Sequence, residues 1–286
     1  MESIWTQTCN HREKRPALDR QIEADVAVIG GGMAGILTAW QLEQAGVRTV
    51  VLEADQIGQG QTKNTTAKIT VQHGLFCHTF LEKKGEETAR NYVQANQEAV
   101  KEYKRIIKEE GIDCDLTEAD SFVYSSDREK LRQETEAAQK LGIRAELKEK
   151  IEIPVPCAGA VCFPNQAEFH PLKFLYALAD TLKVYEDSQV KEVEDHLVKT
   201  SQKWGMSSSM ASAMLLCDKI CNIENPYAET FAPSRFSTEE IPQIARDSGH
   251  AVKGLTKRFF HVPEETANVL KRGYGAIVET SQGTMG

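Results

Sequence analysis

The chain has 286 residues, of which 41% are hydrophobic, and a formal net charge of −8. This length fits one large domain or two ordinary ones, and the acidic charge argues against a general nucleic-acid or anionic-membrane binder. No apolar run approaches the roughly 20 residues of a membrane span, and the polar N-terminus lacks an apolar signal core, so we expect a cytoplasmic protein.

The first elements in chain order predict a βαβ unit behind a polar arm at residues 1–23. Residues 25–29 (DVAVI) are a short β-branched run, which predicts a buried parallel strand. After a glycine turn, a helix is predicted over 36–45 and a second strand over 49–52.

The later elements are predicted helices and strands without an internal repeat. Helices are expected over 86–110, 127–141, 171–183 and 203–220. Strands are expected over 121–124 and 184–193. The proline-rich stretch 153–165 is expected to be irregular or an edge strand, and 273–279 a strand-like stretch with nothing after it to pair with.

The glycine turn, GGGMAG at residues 30–35, fits G-x-G-x-x-G between a strand and a helix. Gly30 allows the tight turn, Gly32 lets the backbone approach a pyrophosphate, and Gly35 lets the helix pack close to the strand. The free N–H groups and the positive end of the helix dipole then face the phosphates.

Glu53 lies 18 residues after Gly35, at the end of the second predicted strand. An acid at that position accepts hydrogen bonds from the adenosine ribose hydroxyls. Glycines, strand, helix and terminal acid together predict a dinucleotide site. The alternative is a structural glycine turn with a solvated Glu53.

A second loop, GQGQT at 58–62 followed by KNTTAK at 63–68, bears on which dinucleotide binds. Its backbone N–H groups and threonine hydroxyls offer donors for further phosphate or for the ribityl side of FAD. Such a loop is unusual for a simple nicotinamide enzyme and favours a flavin. The alternative is a solvated loop.

The stretches VIGGGMAGILTAWQLEQAGVRTVVLEA, IGQGQTKNTTAKITVQHG, NQAEFHPLKFLYALA and KWGMSSSMASAMLLCDKI carry a family resemblance. The chain resembles the FAD-dependent oxidoreductases of the D-amino-acid-oxidase-like (glycine/sarcosine-oxidase-like) superfamily. Within it, the chain looks most similar to the bacterial branch with a C-terminal Rieske domain. The resemblance implies an α/β fold: a Rossmann-like FAD-binding domain, with a parallel sheet flanked by helices, and a reduced α+β substrate-domain remnant.

The resemblance also implies a set of FAD contacts. Val190 would offer its backbone to adenine, and the helix beginning at Gly205 would place its N-terminus against the flavin pyrimidine, where a reduced flavin carries negative charge. The implied cofactor-binding residues are Gly30, Gly32, Met33, Ala34, Gly35, Glu53, Ala54, Thr62, Thr65, Thr66, Ala67, Val190, Gly205, Met206 and Ser207.

The family pattern breaks between Lys199 and Lys203, where the family has well over a hundred residues, so we interpret this junction as an internal deletion. A second, smaller deletion is expected at 183–184, where a predicted helix meets a predicted strand with almost no loop. The domain organisation then follows: 1–23 an arm, 24–110 with 166–222 the FAD-binding domain, 111–165 the substrate-domain remnant, and 223–286 a loop and linker toward an absent Rieske domain.

No catalytic residue is assigned. His73 is a candidate for a place near the flavin ring, and Gln166 is a candidate for the pocket mouth. Lys63 or Lys68 is a candidate for a place near flavin N5 or N1, with a solvated loop lysine as the alternative. His170 is expected to be a structural N-cap or core residue. The chain lacks a Cys-x-x-His pair, and its seven cysteines are expected to be free thiols, so no metal site is expected.

Two functions of different class remain. The first is an FAD-dependent oxidoreductase of the amine or amino-acid oxidase or dehydrogenase type, in which a substrate C–H passes hydride to flavin N5, in a form crippled by the deletion. Its partner is a small amine or amino acid, with an unknown electron acceptor. The second is a non-catalytic dinucleotide-binding remnant or unstable fragment. A nicotinamide dehydrogenase is disfavoured by the second loop.

Overall fold

The computed structural model describes residues 2–9, 12–151, 156–190, 205–228, 230–231, 278–280 and 283–285. The chain divides into two units, Met1–Ala232 and Pro233–Gly286. The described part of the first unit holds a parallel sheet and an antiparallel sheet, with helices packed against both. This confirms the mixed α/β class. The four-part domain division stays a prediction.

The predicted helices and strands are present with shifted boundaries, and the structure adds helices at Ile4–Thr8 and Cys77–Lys84 and strands at Lys68–Ile69 and Glu146–Lys148 that were not predicted. The helices are α1 Ile4–Thr8, α2 Met33–Gln44, α3 Cys77–Lys84, α4 Glu86–Glu109, α5 Arg128–Lys140, α6 Pro171–Asp180 and α7 Gly205–Ile220. The strands are β1 Val26–Ile29, β2 Thr49–Leu52, β3 Lys68–Ile69, β4 Thr117–Ser125, β5 Glu146–Lys148, β6 Gly159–Glu168, β7 Val184–Tyr185, β8 Val278–Thr280 and β9 Gly283–Met285. None of the helices among the described residues is long and apolar enough to cross a membrane.

The parallel sheet has the order β1–β2–β7. Val51 of β2 lies opposite Val28 of β1 on one side and Val184 of β7 on the other. The prediction that β1 is buried was wrong, because alternate residues of β1 are exposed and Ile29 is 56% exposed. Within the described residues β1 pairs on one side only, so it is an edge strand.

The antiparallel sheet has β6 at its centre, paired with β4 on one side and with β3 and β5 on the other. Residues 153–165 were predicted to be irregular or an edge strand, which was wrong for the described residues from Gly159 onward. A bulge accommodates Pro164, which lies with Asn165 where the pairing shifts between Ala119 and Ser121. The ladder needs no N–H from proline at this point.

The segment after α6 departs from the sequence prediction twice. Helix α6 ends at Asp180, so residues 181–183 form an ordinary three-residue connection to β7, not the expected near-absent loop. Strand β7 then ends at Tyr185, because Asp187 adopts a positive φ of 48° and turns the chain. Val190 therefore lies outside the strand predicted for it. The predicted deletion junction at 199–203 falls outside the described residues.

The N-terminal arm packs against the rest of the first unit. The indole Nε1 of Trp5 donates to the carbonyl of Thr65 at 2.8 Å, and the hydroxyl of Thr8 lies 3.1 Å from Nε2 of His170. The side chain of His170 accepts from the N–H of Lys173 and caps α6, which confirms its structural role.

The second unit is described only at an antiparallel hairpin of β8 and β9. The described end of the predicted strand-like stretch 273–279 does have a partner, because Val278 pairs with Met285 and Glu279 with Thr284. Residues 273–277 fall outside the described residues.

Candidate dinucleotide-binding site

The glycine turn at residues 30–35 joins the end of β1 to the start of α2. Gly30 has φ +103°, a conformation that L side chains rarely adopt. A Cβ on Gly35 would overlap the carbonyl oxygen of Gly30. Both structural roles predicted for these glycines, the tight turn and the close packing of helix on strand, are therefore confirmed.

Gly32 differs from its neighbours in what a side chain would meet. The nearest heavy atom to a Cβ at this position would be Oγ1 of Thr62, at 3.7 Å, an ordinary van der Waals distance. Packing within the chain therefore does not require glycine here. The absent side chain leaves space beside the first turn of α2, as a closely approaching ligand would need.

The first turn of α2 presents N–H groups that a bound anion can use. The N–H of Met33 donates to Oγ1 of Thr62 at 3.1 Å. Among the residues that the structure describes, the N–H groups of Gly32, Ala34 and Gly35 have no hydrogen-bond partner. These groups and the helix dipole make this turn suitable for a phosphate.

Glu53, at the C-terminal end of β2, reaches the glycine turn. One carboxylate oxygen accepts from the N–H of Gly31 at 2.6 Å, and the other accepts from the N–H of Asp55 at 3.0 Å. An ionised carboxylate has about four acceptor sites. Glu53 is half-buried and retains acceptor capacity for the hydroxyls of a sugar beside the turn.

The structure brings together only part of the predicted cofactor set: the glycine turn, Glu53 and Thr62. Thr65 lies instead beside the arm through Trp5, and its hydroxyl accepts from the N–H of Ala67. Among the remaining predicted residues, Ala54 and Thr66 are exposed, Ala67 is buried and Val190 is half-buried. The last three, Gly205, Met206 and Ser207, begin α7, and their side chains fall outside the described residues. Their cofactor contacts stay predictions.

The sequence reasoning missed the part that Gly31 plays. A Cβ on Gly31 would overlap the side chain of Ile57, and the carbonyl of Gly31 accepts from the N–H of Gly58 at 3.0 Å. The second loop therefore packs directly beneath the turn. The run of three glycines was the available signal, since the motif itself leaves this position open.

The pocket candidates have partners within the protein. Gln166 is buried, its side-chain oxygen accepts from the N–H of Val71 at 2.9 Å, and its amide donates to the carbonyl of Pro164. Lys63 donates to the side chain of Gln59, and Lys68 is exposed. The contacts of Gln166 and Lys63 and the exposure of Lys68 indicate no catalytic role for these side chains.

His73 is buried in an aromatic cluster, and Nδ1 of its ring lies 3.0 Å from the hydroxyl of Tyr92. Burial lowers the pKa of His73 to about 4, opposed by a hydrogen bond with the backbone of Thr70. The imidazole is therefore neutral near pH 7. It does not supply a charge to a ligand.

Replacing His73 by asparagine is expected to weaken the acid sensitivity of the fold. In the unfolded chain the ring protonates near its ordinary pKa of 6.5, whereas in the folded chain it resists protonation down to about 4. The contribution of the neutral ring to the free energy of unfolding is therefore fully present above pH 6.5. It falls by roughly 3 kcal/mol as the pH decreases to about 4. Urea unfolding between pH 4 and 8 measures it. Identical pH profiles for the variant and the wild type would contradict the assignment.

No group of three or more His, Cys, Asp or Glu side chains that could hold a metal ion occurs among the described residues. The seven cysteines are free. Burial, together with the nearby carboxylate of Glu134, raises the pKa of Cys77 well above its usual range, so this thiol stays protonated.

Comparison with known proteins identifies the family. Residues 25–255 match the DAO family, described as FAD dependent oxidoreductase. The chain belongs to this family. The protein YhfW of Bacillus subtilis (strain 168), whose name describes a Rieske 2Fe-2S iron–sulfur protein, is 37% identical over 201 residues, covering 68% of this chain and 39% of its own length. This match agrees with the branch that the sequence resembles.

The chain is also similar to two further proteins. Gamma-glutamylputrescine oxidoreductase of Escherichia coli (strain K12) is 27% identical over 205 residues, covering 67% of this chain and 48% of the relative. L-amino acid deaminase from Proteus myxofaciens has the same fold, with a TM-score of 0.52 at 16% identity over 66% of this chain and 43% of that one. The chain thus spans less than half the length of each of these three proteins.

The residues at the glycine turn fit the cofactor of the DAO family. The space beside Gly32 and the three N–H groups without a partner among the described residues suit a pyrophosphate, and the carboxylate of Glu53 suits the adenosine ribose. In FAD, the pyrophosphate is bonded directly to the adenosine ribose.

Proposed function

We propose that this chain binds FAD, with the pyrophosphate at the first turn of α2 and the adenosine ribose at Glu53. The observation that carries the proposal is the open space at Gly32, where packing within the chain tolerates a side chain, beside N–H groups that lack partners among the described residues. The match to the DAO family supports the same cofactor.

We further propose that this protein is an oxidoreductase that acts on a small amine or amino acid. The flavin, when bound, supplies the acceptor for hydride from a substrate C–H bond. The chain's own residues bind and orient the cofactor. The names of an amine-related and an amino-acid-related relative support this substrate class. A cytoplasmic location belongs to the same proposal, whereas the electron acceptor is left unassigned.

The absorbance spectrum of the purified chain tests the proposal. We expect a yellow protein with flavin absorbance bands, or an apoprotein whose melting temperature rises when FAD is added, because a ligand that binds only the folded state stabilises it. A colourless protein that takes up no FAD, with an unchanged melting temperature, would favour the non-catalytic remnant. FAD bound without reduction by any amine or amino acid would keep the binding and reject the activity.

Replacing Glu53 by alanine is expected to weaken FAD binding by about 1–3 kcal/mol, the scale of a hydrogen bond to a charged group. The carboxylate would no longer be available to the ribose, and the N–H of Gly31 would lose its acceptor. Titration of the apoprotein with FAD measures the change. Asp55→Asn is the matched control, since Asp55 is an exposed acid two residues away. An equal effect of both variants would show that Glu53 acts only through surface charge.

A further inference from the structure

Glu186 is a buried acid that the predicted cofactor set leaves out. It follows β7 directly and is 4% exposed. One of its carboxylate oxygens accepts from the N–H of Ile57 at 2.9 Å, and the other accepts from the N–H of Arg15 at 2.7 Å. A single buried side chain therefore joins the N-terminal arm to the loop after Glu53.

The contact with Ile57 reaches the glycine turn. The side chain of Ile57 fills the space that a Cβ on Gly31 would need, and the next residue, Gly58, donates its N–H to the carbonyl of Gly31 at 3.0 Å. The carboxylate of Glu186 fixes the backbone of Ile57 and thereby the residue that supports the turn from below. A shift at Ile57 changes where the N–H groups of the turn point.

The arm holds the segment around Glu186 from the other side. The N–H of Glu186 donates to the carbonyl of Pro16 at 3.3 Å, and the N–H of Leu18 donates to the hydroxyl of Ser188 at 2.8 Å. Ser188 in turn donates its own N–H to the carbonyl of Glu53 at 2.8 Å. The arm therefore lies one residue away from the acid assigned to the ribose.

We propose that residues 15–18 and Glu186 form an arm clamp that positions the glycine turn and Glu53 for the ADP half of FAD. Glu186 is a positioning residue: it contacts the backbone of the supporting loop and acts on the cofactor through Ile57 and Gly31. This inference rests on the proposed FAD binding and deepens it, because it makes the N-terminal arm part of the cofactor site.

Glu186→Gln tests the clamp in the full 286-residue chain. Glutamine keeps the shape, but its NH₂ group faces one of two backbone N–H donors, so one hydrogen bond to a charged acceptor is lost. We expect about tenfold weaker binding of both ADP and FAD, measured by calorimetric titration of the apoprotein. Asp187→Asn is the matched control, since this adjacent acid is exposed, pairs with Lys14, and has a positive φ that asparagine tolerates. Its affinity is expected to stay within about twofold of the wild type.

Ser188→Ala is a milder variant, in case Glu186→Gln does not fold. It removes the acceptor of the Leu18 N–H, and we expect about threefold weaker ADP binding, the low end for one neutral hydrogen bond. Hydrogen exchange adds a measurement that a purely structural role would not affect. Because coupling between sites is reciprocal, ADP is expected to slow exchange at the Leu18 amide in the wild type and less so in the variants.

The outcomes separate this inference from the proposed function. The arm clamp would be overturned if the wild type bound ADP, the variants kept the same affinity, and ADP gave the wild type no protection at the Leu18 amide. The proposed FAD site would not be affected by that result. Wild-type protein that binds neither ADP nor FAD would overturn both. Weaker binding by Glu186→Gln and Ser188→Ala, with Asp187→Asn unaffected, would establish the clamp.

Discussion

Replacing Gly32 by valine is expected to abolish FAD binding while the protein without cofactor stays folded. A Cβ at this position has ordinary van der Waals room, with Oγ1 of Thr62 as its nearest neighbour at 3.7 Å. The branched side chain would occupy the space beside the N–H groups of the turn, which the pyrophosphate needs. The flavin content after purification and a titration of the apoprotein with FAD measure the loss. The circular dichroism spectrum shows whether the fold is kept.

Gly35→Ala is the matched comparison for this prediction. A single methyl group there would overlap the carbonyl oxygen of Gly30, so we expect loss of stability even without cofactor. The smaller substitution thus damages the fold and the larger one damages only binding. Unchanged FAD content in Gly32→Val would contradict the placement of the pyrophosphate.

Replacing Glu134 by alanine is expected to destabilise the fold by about 3 kcal/mol, because three backbone N–H groups, one buried and two partly buried, would lose their acceptor. Glu134 lies on α5, is 1% exposed, and its carboxylate accepts from the N–H groups of Phe76, Cys77 and His78 at 2.9–3.1 Å. It caps α3 from a different helix. Equilibrium unfolding in urea measures the free-energy change.

Glu136→Ala on the same helix is the control for Glu134. Its side chain is 60% exposed and pairs with Arg132, so a change within about 0.5 kcal/mol is expected. If both variants lost the same stability, the helical position and not the cap would be the cause. A Glu134→Ala variant as stable as the wild type would show that water or another side chain accepts the hydrogen bonds of the N–H groups at the start of α3.

The features that the sequence predicted well depend on local geometry. The glycine turn, α2 and the second strand agree closely with prediction, because a positive φ at Gly30 and close packing at Gly35 leave few alternatives to glycine. The long helix α4 agrees as well, since its apolar residues recur at helical spacing and are buried, as at Val93, Val100 and Tyr103.

The features that the sequence predicted poorly depend on neighbours distant in the chain. Strand β6 was misjudged because proline usually excludes a central strand, whereas the bulge at Pro164 exists only once β4 is in place. Strand β1 was expected to be buried because its residues are apolar, yet its burial depends on which strands lie beside it. The length of β7 was overestimated because alternation continued through a turn at Asp187.

By itself, the sequence determined the geometry of the glycine turn, because a short motif fixes it within a few residues, and its resemblance to known stretches indicated the FAD-dependent family. Tertiary structure alone decided which N–H groups stay without partners among the described residues, that Thr62 caps Met33, and that Glu186 links the arm to Ile57. The reason is physical: a hydrogen bond between residues 129 positions apart, such as that between Ile57 and Glu186, leaves no periodic trace in the sequence. It becomes visible only when folding brings the two segments together.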